Sequence, residues 1–152
     1  MAASAWTVFN QAKHNLGLGN IDLSGDTFGI ALFRSSASTT LATNISTYAS
    51  VGSFTSTAGG ADEIQAIVSP TWTGTASANA ATRRWDCADP VFTASTQAIS
   101  SVRYAVVYVS AGTSAGANKL VCYAALSTAE FVVASSNTLT VQMASGGLFT
   151  LT

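Results

Sequence analysis

The fold is decided by residues 101–110, which read Ser101-Val102-Arg103-Tyr104-Ala105-Val106-Val107-Tyr108-Val109-Ser110. Valine and tyrosine recur at alternate positions of this stretch, and the positions between them are also mostly apolar. Because successive side chains of a strand point to opposite faces, both faces of this strand are apolar and both must be covered. The stretch therefore predicts a central β-strand with packed layers on its two sides.

Further runs of strand length lie on both sides of this stretch, separated by turn-like clusters. They are residues 27–33, 61–68, 81–87, 119–126, 137–143 and 148–151. We expect residues 119–126 to pair with the central strand as an antiparallel hairpin, and Pro90 to interrupt the strand before it. Residues 35–60, rich in Ser, Thr, Ala and Gly, are expected to form a long loop with a helical turn near residues 41–48. The pattern predicts a mainly β, antiparallel sandwich or jelly-roll-like domain over about residues 26–152.

One helix is predicted before the strands, over about residues 4–16. Its apolar positions recur at helical spacing and gather on one narrow face; they are Ala5, Val8, Phe9, Ala12 and Leu16. Ser4 is a suitable N-cap, and Gly17 is a suitable residue to end the helix. A helix of this length is marginal alone, so it must dock on its own sheet or on a neighbouring subunit. Helix and strands together predict a single domain over residues 1–152.

The composition is poor in charge. Charged residues make up 9% of the 152 residues, against about 25% in an ordinary soluble domain. Such a chain is either a small neutral β-protein or a subunit whose surface is covered in an assembly, and we favour the second interpretation. The net charge of −1 gives no electrostatic basis for binding nucleic acid, and no apolar run is long enough to predict a membrane span.

The ionisable residues suggest no catalytic centre, metal site or cofactor site. The histidine, His14, falls on the polar side of the predicted helix, and no nucleophile motif accompanies it. Cys87 and Cys122 are either free buried thiols or a bridge between adjacent strands. Asp86 and Asp89 are too isolated to indicate a glycosidase pair. The sequence therefore predicts a protein that is not an enzyme.

Arg103 stands out because it lies inside the most apolar strand. A buried guanidinium needs a partner, since leaving it unpaired costs several kcal/mol. Asp86 and Asp89 are better interpreted as partners of a cation than as a catalytic pair. We therefore predict a structural ion pair between Arg103 and one of these two residues.

Candidate protein-contact residues come from the helix and from the long loop. Large apolar side chains anchor most interfaces, and the candidates are Trp6, Phe9, Leu16, Tyr48 and Phe54. Phe9 and Trp6 are also open to packing in the core of their own subunit, and for Phe9 we favour core packing slightly over a contact with a partner.

Three segments resemble a known family. They are residues 8–33, which include Val8-Phe9-Asn10-Gln11-Ala12-Lys13 and Asp26-Thr27-Phe28-Gly29-Ile30; residues 102–108; and the terminal Ala144-Ser145-Gly146-Gly147-Leu148-Phe149-Thr150-Leu151-Thr152. In order and spacing these segments are similar to short virion proteins of tailed bacteriophages, with residues 35–82 least alike.

The resemblance implies a structural role in a virion, most often as a capsid decoration or cement protein that binds and stabilises the head lattice. The expected partners are the major capsid protein or other virion proteins, and the expected state is a homo-oligomer, a dimer or trimer. The first six residues lack the features of a secretory signal, so we expect synthesis in the bacterial host cytoplasm. Tail, neck or fibre-associated proteins are the alternative within the virion, and a small lectin-like binding module is a further alternative.

Overall fold

A computed structural model describes residues 5–35, 64–66, 71–73, 83–95, 97–111, 119–143 and 147–151. These residues form a mainly β fold with antiparallel sheets and a single helix, as predicted. The elements, in chain order, are β1 (Thr7–Val8), α1 (Asn10–Gly17), β2 (Thr27–Phe33), β3 (Ile64–Ala66), β4 (Thr71–Thr73), β5 (Arg83–Asp86), β6 (Val91–Thr93), β7 (Ile99–Val102), β8 (Tyr104–Ala111), β9 (Leu120–Ala125), β10 (Phe131–Val133), β11 (Thr138–Thr140) and β12 (Phe149–Leu151).

The largest sheet has five strands in the order β1-β9-β8-β2-β3, which places β8 at its centre. Strand β2 pairs antiparallel with β8, from Thr27 opposite Ala111 to Phe33 opposite Tyr104. All residues from Tyr104 to Val109 are buried, because both faces of this strand are apolar and both are covered. The predicted central strand and its hairpin with β9 are confirmed.

The predicted strand over residues 101–110 is interrupted at Arg103, which separates β7 from β8. Ser101 has a positive φ of 60°, so the chain turns away from the ladder at this point. The backbone of Arg103 is held by Phe33, whose carbonyl accepts its N–H at 2.8 Å, and by Leu126, which donates to its carbonyl at 2.8 Å. The bend allows β7 to leave the central sheet and pair with β10.

A second feature is a bent ribbon, formed by residues 91–95 and 97–102 opposite residues 131–140. Its two halves are β6 with β11 and β7 with β10, and both pairs are antiparallel. At the bend, Ala94 donates to the Asn137 carbonyl at 3.0 Å and accepts from the Ser136 N–H at 2.7 Å. Ser136 has a φ of 70°, which turns the outer strand without breaking the ribbon.

The third sheet has the order β12-β5-β4 and covers the central sheet through Trp85. This side chain is fully buried and meets Phe28 edge to face, with ring centroids 4.8 Å apart. Its indole N–H donates to the Leu23 carbonyl at 3.3 Å, so a large buried side chain is also satisfied in hydrogen bonding. The Phe149 ring also packs on Trp85, with ring centroids 5.4 Å apart.

The helix differs from its prediction: it spans Asn10–Gly17 and does not begin near residue 4. Thr7 and Val8 instead extend the central sheet, opposite Tyr123 and Cys122. Phe9 occupies the N-cap position without a side-chain cap. At the other end Gly17 is helical, and Gly19 takes the left-handed conformation with a φ of 71°. Apolar spacing alone could not reveal that β1 pairs with β9.

Replacing Trp85 with alanine should lower the free energy of unfolding by about 3–5 kcal/mol, because the substitution opens a cavity between two sheets. Urea denaturation followed by circular dichroism measures the change. Val132→Ala is the control, since this valine is 60% exposed and its loss should change stability by less than about 0.5 kcal/mol. Equal effects in the two variants would contradict the packing described.

Replacing Gly147 with alanine should destabilise the protein by about 1–3 kcal/mol. Gly147 has a φ of 69°, and a Cβ there would lie 2.6 Å from the Trp85 carbonyl oxygen. Gly17→Ala is the matched control, because a Cβ at this helical position meets no atom within 4 Å. Thermal unfolding should show a loss for Gly147→Ala alone, and an unchanged midpoint in that variant would contradict the geometry.

Candidate protein-interaction surface

The three predicted contact residues near the N-terminus differ in burial. Phe9 is 3% exposed and packs on the Tyr123 ring with centroids 5.0 Å apart. It belongs to the core, so its predicted use as an anchor for a partner is wrong. Trp6 and Leu16 are half-buried against the core and keep part of their surface open. Leu18, which sequence reasoning missed, is 61% exposed.

The two other predicted contact residues, Tyr48 and Phe54, lie outside the described residues. The same holds for most of the predicted loop at residues 35–60. Their use as contacts stays a prediction.

The indole nitrogen of Trp6 is a buried donor without a hydrogen-bond partner among the described residues. A buried donor left unsatisfied costs about 1–3 kcal/mol. Trp6 therefore differs from Trp85, whose N–H has an acceptor. Because this nitrogen is shielded from the surface, it is not available to a partner, and the use of Trp6 as a contact stays a prediction.

The predicted ion pair of Arg103 with Asp86 or Asp89 is wrong, because each residue has another partner. Arg103 donates to the Ser35 hydroxyl at 3.1 Å, and its guanidinium lies 5.3 Å from the centre of the Tyr104 ring. Asp86 pairs with Arg84 at 3.5 Å, and Asp89 accepts from the Met143 N–H at 2.8 Å.

Glu130 supplies the negative charge at this end of the central sheet. It accepts the Ser35 N–H at 2.7 Å, and hydrogen bonds from Ser35, followed by weaker effects of Ser101 and the charge of Arg34, hold the pKa of its carboxyl below the usual range. Glu130 and Arg103 thus both bond to Ser35, Glu130 at its backbone N–H and Arg103 at its hydroxyl. This polar cluster secures the end of the β2–β8 ladder, which is a structural role.

Both cysteines are free, so neither takes part in the bridge that the sequence left open. Burial, with the charges of Asp86 and Asp89, raises the pKa of Cys87 to about 12. Burial also raises the pKa of Cys122 well above its usual range, and Cys87 adds to the effect. Two thiols that stay protonated near neutral pH are poor nucleophiles and poor metal ligands.

The remaining ionisable groups serve turns and surfaces. Among the described residues, no group of three or more His, Cys, Asp or Glu side chains is placed to hold a metal ion. Asp22 accepts hydrogen bonds from the N–H of Ser24 at 2.9 Å and from its hydroxyl at 2.6 Å, and these bonds lower its pKa. This arrangement shapes the turn before β2. His14 is exposed on the helix.

The bent ribbon carries two of the three large apolar side chains that are exposed among the described residues. Val132 is 60% exposed and Val91 is 47% exposed, and the neighbouring Thr93 and Thr138 are exposed as well. An open groove of about 270 Å³ lies at the bend, lined by residues 131–134 and 137–139. None of these seven residues is charged. The surface is suited to contact with another uncharged protein surface.

Sequence reasoning missed this ribbon surface, although one signal for it exists. Residues 131–142 contain no charged residue, no glycine and no proline. Residues 137–143 were predicted as a strand from alternate apolar positions, and two of those positions, Leu139 and Val141, are buried. The alternation does not predict which strand β11 pairs with. In the structure β11 pairs with β6 in a two-stranded sheet.

Comparison with known proteins adds no identification. No family model, no curated protein and no solved structure matches this chain. Within the part of the chain that the structure describes, no helix has the length and apolar character needed to cross a membrane.

In the native protein at pH 8, Cys87 and Cys122 should react with iodoacetamide far more slowly than free cysteine, because a thiol with a raised pKa is mostly protonated. In denaturant both should react, and mass spectrometry should count two modified sites. Rapid labelling of either thiol in the folded protein would contradict the burial described.

The raised pKa values of the two thiols also predict how stability depends on pH. The stabilisation is retained below about pH 9 and is lost as the pH rises toward 12.

Proposed function

We propose that this chain is a structural subunit of a tailed-bacteriophage virion, as a capsid decoration or cement protein that binds and stabilises the head lattice. The observation that carries the proposal is the uncharged, partly apolar outer surface of the bent ribbon, around Val91, Val132 and Thr138. Exposed apolar surface at the rim of a small domain commonly marks a protein-contact site.

The low charge of the whole chain supports the same proposal. The sequence holds 6 basic and 7 acidic residues, or 13 in 152. Subunits with such surfaces approach each other without the cost of removing water from many charges. A lattice offers many equivalent sites, so a symmetric homo-oligomer is a suitable binding unit. Its proposed partners are copies of itself and the major capsid protein.

The segments that resemble small virion proteins fall on the framework of the fold. The first runs through β1, α1 and β2, the second ends β7 and begins β8, and the third includes β12. β2 and β8 are adjacent in the central sheet, so the likeness covers its middle. It supports a common framework and brings no catalytic residues with it.

Tail, neck and fibre-associated roles would use the same surface chemistry, and copy number separates them from the capsid role. The lectin-like alternative is less well supported. Sugar-binding sandwiches present exposed aromatic side chains, whereas the large exposed apolar residues of the described chain are the aliphatic Leu18, Val91 and Val132.

Quantitative mass spectrometry of purified particles of the encoding phage tests the proposal. A decoration protein should be present in hundreds of copies, in a fixed ratio to the major capsid protein across washes of increasing salt. About six to a few dozen copies would indicate a neck or fibre position. An abundant host cytoplasmic protein, followed in the same samples, controls for contamination, and loss of the chain along with it would contradict a virion role.

A further inference from the structure

We infer that Cys87 and Cys122 form a redox cross-link: on oxidation they join in a disulfide that ties the sheet of β5 to the central sheet. In the structure both thiols are free, which is the reduced state. A disulfide needs two cysteines whose side chains point toward each other across a short distance. The register of the strands and the packing of the core supply that arrangement. This site lies inside the chain and does not depend on the virion role.

The side chain of Cys122 lies on an identifiable face of the central sheet. Cys122 is opposite Val107, and Val107 is opposite Ile30. Directly opposite residues of paired strands share a face, and so do residues two apart in one strand. Cys122 therefore shares its face with Ile30 and with Phe28. All four side chains are fully buried, so a second layer covers this face.

The layer that covers this face is the sheet containing β5. Trp85 packs on Phe28 with ring centroids 4.8 Å apart, so Trp85 points toward the central sheet from the facing side. Cys87 follows Trp85 by two residues, and alternate residues of an extended chain point the same way. Cys87 accordingly packs against the buried core cluster to which Cys122 belongs. The two thiols thus enter one interior layer from opposite sheets.

The electrostatics of the two thiols agree with this placement. Burial is the larger cause of the raised pKa of Cys122, and the charge of Cys87 is the second. The effect of one charge on another falls with distance, so the two sulfur atoms lie in the same part of the core. In antibody domains a disulfide between the two sheets packs against a buried tryptophan. Trp85, fully buried and two residues from Cys87, offers a similar setting.

The oxidant that the reaction needs is a small disulfide, such as oxidised glutathione. Cys87 is half-buried whereas Cys122 is fully buried, so Cys87 reacts first. Its thiolate attacks one sulfur of the small disulfide, which forms a mixed disulfide and releases one small thiolate. The Cys122 thiolate then attacks the Cys87 sulfur and releases the second small thiolate. The two released thiolates take up the two protons, and two electrons pass from the protein to the oxidant.

Mass spectrometry of the purified chain tests the cross-link. The reduced protein is incubated with excess oxidised glutathione at about pH 9, where more of each thiol is ionised than at neutral pH, and is then alkylated in denaturant without a reductant. The wild type should lose the mass of two hydrogen atoms, take up no alkyl group and remain a monomer on a non-reducing gel. Cys87→Ala and Cys122→Ala each remove one partner, and each should retain one cysteine that is alkylated or bound to glutathione.

Thermal unfolding measures what the cross-link does to the fold. A disulfide between residues 87 and 122 restricts the unfolded chain, so the oxidised wild type should melt about 5–10 °C above the reduced wild type. The difference should vanish in Cys87→Ala. Each variant is compared with itself in oxidised and reduced samples, so a fold weakened by the substitution does not obscure the result.

Three results would overturn the inference. They are two alkylated or glutathione-bound cysteines in the wild type after prolonged oxidation, covalent dimers in place of the internal bond, and equal melting temperatures of the oxidised and reduced wild type. The copy number in virions is measured separately, so failure here leaves the virion role standing.

Discussion

The structure depends on the burial of β8 on both of its faces. Val106 and Val107 point to opposite sides of the central sheet, and both are fully buried. The rest of the chain must therefore cover two sides of one strand. The sheet containing Trp85 packs on the Phe28 ring of β2, and α1 contacts β9. The outer strand of the bent ribbon, β10 with β11, then remains available at the surface for contacts with other chains.

Long buried strands were the part of the fold that could be predicted. The bounds of β2 match the prediction because residues 27–33 form one uninterrupted run with no competing interpretation. The helix start was wrong because Val8 fits a helical stripe as well as it fits a strand, and pairing with β9 decides between them. The interruption at Arg103 was missed for a related reason: a bend that depends on the Phe33 and Leu126 backbones leaves no local signal.

The sequence predicted that the contact surface would carry few charges, but it did not predict which residues form that surface. A chain with 9% charged residues indicated contact surfaces, whereas the choice of residues required the pairing of distant strands. Helical spacing placed Phe9 on the apolar face and left open whether it packs in its own core or on a partner; its N–H is bonded to Val121 at 3.1 Å and its ring lies in the core. The exposure of Val132 could not be predicted from the sequence, because Phe131, Val132 and Val133 are all apolar. The pairing of the ribbon determines that Val132 is the exposed residue of the three.

We propose that this chain acts through an uncharged surface of complementary shape, which the bent ribbon supplies. A cryo-electron microscopy map of the intact phage particle would show whether the ribbon makes these contacts. We expect density for the chain at repeated lattice positions, with Val132 and Thr138 buried against neighbouring protein. Density in which the ribbon faces solvent at every copy, while other surfaces make the contacts, would contradict it.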